Sequence, residues 1–123
     1  MFIEKQDKNI QKLLISTKES ASLPDKASKG AYSKWLENDI GRMRILTFPP
    51  GYEGDHICYK GHSIYVISGK YRMYLGESVI EWEEGDSFII PNGVPHRSTN
   101  PGIHEVRIVM FDKHRWKKIK LYW

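Results

Sequence analysis

From Gly41 to Phe111, short runs rich in Ile, Val, Tyr and Phe alternate with small polar clusters. Apolar β-branched and aromatic runs of this length predict strands. The predicted strands are Arg42–Phe48, Asp55–Cys58, Ser63–Ser68, Tyr71–Leu75, Val79–Glu83, Ser87–Ile90, His96–Ser98 and Glu105–Phe111. Between them lie Pro49-Pro50-Gly51, Lys60-Gly61, Gly69, Gly76, Glu84-Gly85-Asp86, Pro91-Asn92-Gly93 and Asn100-Pro101-Gly102, all turn signals. Many short strands at this spacing predict an all-β sandwich or barrel. Upstream, Ile3, Ile10, Leu13, Leu14 and Ile15 fit either a short strand or one or two helical turns. Residues 16–30 are small, polar and interrupted by Pro24, which is loop composition. Ile119 to Trp123 alternate apolar and polar and predict one more strand, at a sheet edge. No repeat and no four-turn amphipathic helix is present.

Length and composition narrow this to one domain. The chain has 123 residues, 40% of them hydrophobic, enough to bury roughly two-thirds of its unfolded surface. The expected division is an N-terminal arm and loop over 1–30, a barrel core over 41–111 and a basic strand over 113–123. The formal charge of +4 is uneven: residues 113–123 hold five bases and no acid, and the rest holds 14 bases against 15 acids. A near-neutral body argues against a nucleic-acid surface. The tail interleaves Trp116, Tyr122 and Trp123 with its bases, but the expected reading is a terminal strand with wet lysines. A single cysteine, Cys58, excludes an intrachain disulfide framework. Charges interrupt the N-terminus, and no apolar run approaches the roughly 20 residues that span a bilayer. A cytoplasmic protein in a reducing compartment, without a membrane partner, is expected.

The chemistry-bearing residues gather in the β region as His56, Cys58 and His62, followed by His96. On an extended strand, positions two apart share a face, so His56 and Cys58 project together. A turn at Lys60-Gly61 returns the chain with His62, Ile64, Val66 and Ser68 on one face. If that face turns inward, three nitrogen or sulfur donors converge, and the turn Pro91–Pro95 brings His96 to them. Such a set can hold a transition metal. The alternative is histidines and a cysteine that merely pack and hydrogen-bond in a β core. His104 and His114 stand beside charged residues and are expected to face solvent. Glu81 and Glu83 alternate with Ile80 and Trp82, so they belong to a solvated strand face rather than a catalytic carboxylate pair.

Gly85, Pro91, Gly93, His96 and Asn100 reproduce the spacing of the second motif of the cupins, G-x5-P-x-G-x2-H-x3-N. Gly51, His56, Cys58, His62 and Gly69 follow the first motif with departures. Gly51 is one residue closer to His56 than the motif asks, Cys58 replaces the second histidine, and His62 replaces the glutamate. Asp55-His56-Ile57-Cys58 with Lys60-Gly61-His62 is similar to a smaller subgroup, the DHCW-motif cupins. The resemblance covers Gly51–Asn100 strongly. It implies a double-stranded β-helix, or jelly-roll barrel, holding one divalent transition metal on His56, Cys58, His62 and His96. Three imidazoles and a thiolate keep the charge of three imidazoles and a carboxylate but are softer. That favours zinc first, with iron, nickel, cobalt or copper as further choices. If Cys58 turns away, three histidines remain with open positions.

The resemblance implies a small polar organic molecule bound in the barrel, acted on by oxygenase, isomerase or lyase chemistry. A non-enzymatic module that binds or senses a metal or metabolite is the second expectation. It also implies a homodimer paired through sheet edges and terminal strands.

Overall fold

Seven of the eight runs predicted between Gly41 and Phe111 are strands in the computed structural model, which describes residues 21–114. Among these residues there are nine strands: β1 (Leu23–Pro24), β2 (Tyr32–Glu37), β3 (Gly41–Phe48), β4 (His62–Ser68), β5 (Lys70–Leu75), β6 (Ser78–Glu83), β7 (Ser87–Ile90), β8 (His96–Thr99) and β9 (Val106–Lys113). All pairings are antiparallel. One sheet runs β1-β2-β3-β9-β4-β7 and the other β6-β5-β8. Among the described residues no helix is long and apolar enough to cross a membrane.

The alternation explains the layering. In β3 the buried positions are Gly41, Arg44, Leu46 and Phe48; in β4, His62, Ile64 and Val66; in β9, Val106, Ile108, Met110 and Asp112. Tyr71 and Met73 of β5 close the core from the smaller sheet. These central strands therefore each turn a largely apolar face to the other layer, and burial of those faces holds the layers together. Phe48 stacks on Tyr71 at 5.6 Å between ring centres, joining the two sheets.

Two differences from the predicted elements matter. Tyr32–Glu37 forms a full strand paired with β3 through six residue pairs, although its composition (Lys34, Glu37 and the preceding Gly30) gives only a weak strand signal. Asp55–Cys58 is not a strand. The chain bends at Asp55 and His56, and isolated bridges, Glu53 with Thr99 and Cys58 with His96, flank the bend and tie the segment to β8 together with the Gly54–Ser98 hydrogen bond. The predicted strand at Ile119–Trp123 and the N-terminal apolar segment over 1–15 lie outside the described residues.

The second-motif residues have structural duties. Asn100 is 1% exposed, and its amide nitrogen donates to the carbonyls of Phe48 (3.0 Å), Pro49 (3.1 Å) and His104 (2.9 Å). Gly93 has φ +90°, a conformation that L side chains rarely adopt, and its N–H donates to the Tyr59 carbonyl at 2.8 Å. That bond ties the turn before His96 to the segment carrying Cys58.

Candidate metal centre

Three of the four residues proposed as ligands meet at one end of the barrel. His62 is the first residue of β4 and lies on its inward face with Ile64 and Val66. His96 opens β8 and is 4% exposed. Cys58 stands opposite His96: Cys58 N donates to His96 O at 2.8 Å, and His96 N donates to Cys58 O at 2.9 Å. Residues paired this way project their side chains to the same side of the ladder. Gly61 allows the two turns to approach. A Cβ there would lie 2.5 Å from the Ile90 carbonyl oxygen and 2.8 Å from the Asn92 nitrogen. Its N–H donates to Asn92 Oδ1 at 2.7 Å. Close backbone approach, rather than a left-handed turn, is what requires glycine at this position.

The donor atoms of Cys58, His62 and His96 all lie within 4.8 Å of one another. Cys58 Sγ is 3.8 Å from His62 Nε2. A zinc ion with Zn–S near 2.3 Å and Zn–N near 2.0–2.1 Å would set tetrahedral donors about 3.6 Å apart, so the spacing suits a first-row ion. Proton positions follow from the partners. His62 Nδ1 donates to the Asp112 carboxylate. His96 Nδ1 donates to the Val94 carbonyl at 2.9 Å. In the neutral tautomer compatible with each bond, Nε2 is the ring nitrogen that carries the lone pair. His96 Nε2 is buried with no hydrogen-bond partner among the described residues. An orphaned buried acceptor facing a thiol and a second imidazole is the arrangement expected where a cation completes the bonding. Burial, with the nearby His62, pushes the His96 imidazole below its ordinary range, against the opposing Val94 hydrogen bond. It is therefore neutral near pH 7, the form that ligates.

Behind His62 lies a buried ionic network that the strand reading alone did not anticipate. Burial acts to raise Asp112, but the bonds from His62 and Arg42 and the charge of Arg44 outweigh it and hold the carboxyl far below the usual range. Arg42 reaches Asp112 at 3.0 Å and Arg44 at 3.3 Å, while Arg44 also reaches Asp25 at 3.1 Å. Asp25 accepts a hydrogen bond from the Ser33 hydroxyl at 2.7 Å. The signal was present in the alternation. Arg42 and Arg44 continue the core-facing positions of Leu46 and Phe48 in β3, and Asp112 continues those of Val106, Ile108 and Met110 in β9. A charge in that phase needs a buried partner, and each finds one.

His56 is not brought to the other three. Because the chain bends at Asp55 and His56, the two-residue rule that placed it beside Cys58 does not apply. Its side chain is 62% exposed and pairs with Asp55 at 2.7 Å. His56 instead lines the same cavity, whose volume is about 120 Å³ and whose walls include Cys58, His62, His96, Arg42 and Arg44. His104 is exposed. His114 is half-buried, with Nε2 3.2 Å from Glu37.

The sequence profile of the family described as cupin domain matches residues 44–112. Comparison with curated proteins gave no significant match. Among solved structures, the chain is similar to a polyketide cyclase from Streptomyces resistomycificus, with TM-score 0.70 and 17% identity over 81% of this chain and 78% of the other. It is also similar to an RmlC-like cupin from Shewanella frigidimarina, with TM-score 0.66 and 22% identity over 80% and 87%. A cupin-2 domain from Rhodospirillum rubrum aligns with TM-score 0.63 and 18% identity over 89% and 74%. At these identities the likeness carries the fold.

Proposed function

This chain belongs to the cupin family, and from that membership we propose that it holds one divalent transition ion on Cys58, His62 and His96 and binds a small polar organic molecule beside it. The observation that carries this reading is the unpartnered, buried Nε2 of His96, set among donors within 4.8 Å. Two imidazoles and a thiolate favour zinc, with iron, nickel, cobalt and copper following. A bound ion would supply a Lewis-acid centre at the base of the cavity. Three protein donors leave a position for water or ligand, as in catalytic rather than closed structural sites. The chain's own residues prepare the site. Asp112 fixes the His62 ring, the Val94 carbonyl fixes His96, and Gly61 allows both turns to close. His56 stands at the wall, where its exposed ring can contact a ligand.

A second reading, a binding or regulatory module without turnover, is favoured by the carboxylates. Among the described residues lining the cavity, Asp55 is paired with His56 and Asp112 with His62, Arg42 and Arg44. Neither is free to act as a general base.

The test is metal analysis of the purified protein beside His96→Ala and Cys58→Ser. Wild type is expected to hold about one zinc or other first-row ion per chain, and both variants to lose most of it. Equal metal content in wild type and His96→Ala defeats the assignment.

A further inference from the structure

Resting on the reading of this cavity as a ligand pocket, we propose that its ligand is a small carboxylate, gripped by Arg42 and Lys60 at the wall beside the His/Cys cluster. The cavity is lined by four cations, Arg42, Arg44, Lys60 and Arg97, against two carboxylates, Asp55 and Asp112. Both carboxylates are already engaged. Asp25, which also neutralises Arg44, does not line the cavity. A recess walled by protein concentrates such a surplus and draws anions.

Donors remain for the anion to use. One of the guanidinium donors of Arg42 is bonded, to Asp112, and its side chain is 30% exposed. Arg44 lines the cavity, is 3% exposed, and has an Nε–H with no partner among the described residues. An unpaired buried donor is costly enough to point to an absent acceptor. The Lys60 side chain is exposed and makes no ion pair among the described residues. Arg97 is committed elsewhere, over the Tyr74 ring at 4.6 Å and to the Gly54 carbonyl at 3.3 Å. A guanidinium fork matches a carboxylate edge, and such charge-assisted bonds are about twice as strong as neutral ones.

The volume of about 120 Å³ admits only a small ligand. Within the anions the planar guanidinium fork of Arg42 matches the planar edge of a carboxylate.

The experiment is an NMR shift titration of zinc-loaded and chelator-treated protein with propionate, its isosteric amide propionamide, and inorganic phosphate. Propionate is expected to bind about tenfold more tightly than propionamide or phosphate. Arg42→Gln and Lys60→Gln are each expected to weaken propionate binding about fivefold or more, Lys60→Gln without changing zinc content. The proposal is overturned if propionamide or phosphate binds as well as propionate, or if propionate does not bind. It is also overturned, with the metal reading intact, if propionate needs zinc but ignores both substitutions. If zinc does not bind while propionate still depends on Arg42 and Lys60, the metal reading fails and this one stands.

Discussion

His62 joins the ionic network to the donor cluster through its two ring nitrogens. Nδ1 is held by Asp112 and Nε2 faces Cys58. A carboxylate in this position orients the ring, fixes its tautomer and raises the basicity of the ligating nitrogen. Asp112→Asn keeps the shape but removes the charge. Zinc affinity, measured by chelator competition, is expected to fall about 10–100-fold while the strand circular dichroism is retained. Unchanged affinity would mean that Asp112 serves only the arginines. His56 shows the opposite case. Its place in the motif suggested a ligand, but the bend at Asp55 and His56 turns the ring to solvent and to a neighbouring carboxylate.

Two connecting segments assemble the site at the starts of β4 and β8, where His62 and His96 stand. The segment before β4 carries Cys58, and the turn before β8 carries the approach to His96. Their contacts are the Gly93–Tyr59 and Gly61–Asn92 hydrogen bonds and the Cys58–His96 bridge. Gly61→Ala inserts a methyl group against the backbone of Ile90 and Asn92. Overpacking of this kind costs about 1–3 kcal/mol. The urea midpoint is expected to fall accordingly, and zinc binding to weaken with it because His62 and Cys58 move apart. A midpoint equal to wild type would show that the turns tolerate separation. The expected hairpin from Asp55–Cys58 into β4 is replaced by this irregular strap. A strap can aim one side chain inward and its near neighbour outward, which regular alternation in a strand does not allow.

Across the whole molecule, stability at acidic pH depends on the buried ions. For Asp25, burial acts to raise the carboxyl, but the Ser33 hydroxyl, the Arg44 charge and the Ser28 N–H hold it below its ordinary value. A carboxyl lowered in the folded state adds stability above the unfolded value of about 3.9, and that stability is lost as pH falls through the folded value. Wild type is therefore expected to exceed Asp25→Asn by about 3 kcal/mol at pH 7, near the low end for breaking a buried pair. The difference should shrink below about pH 4. Urea titrations at pH 7 and pH 3 measure it, and a pH-independent difference would remove Asp25 from the ionic account.

Local pattern carried much of the outcome. Aromatic and β-branched runs set seven of the strands, because half-buried strands need one apolar face and turns need glycine, proline and asparagine. The second-motif spacing singled out His96 and Asn100, and the single cysteine marked the site. The rest was decided by contacts far apart in the chain. Strand β2 exists because β3 offers it an edge through six pairs, not because its own residues demand a strand. Asp112 meets His62 because β9 pairs with both β3 and β4, bringing together residues 50 positions apart. Which of the two near neighbours, His56 or Cys58, faces inward was set by hydrogen bonds to β8, since an isolated bridge fixes Cys58 and leaves His56 on a bend. Composition along a chain reports which face of an element prefers water. It does not report which distant strand supplies the partner, and that supply turned three donors and a buried carboxylate into one site.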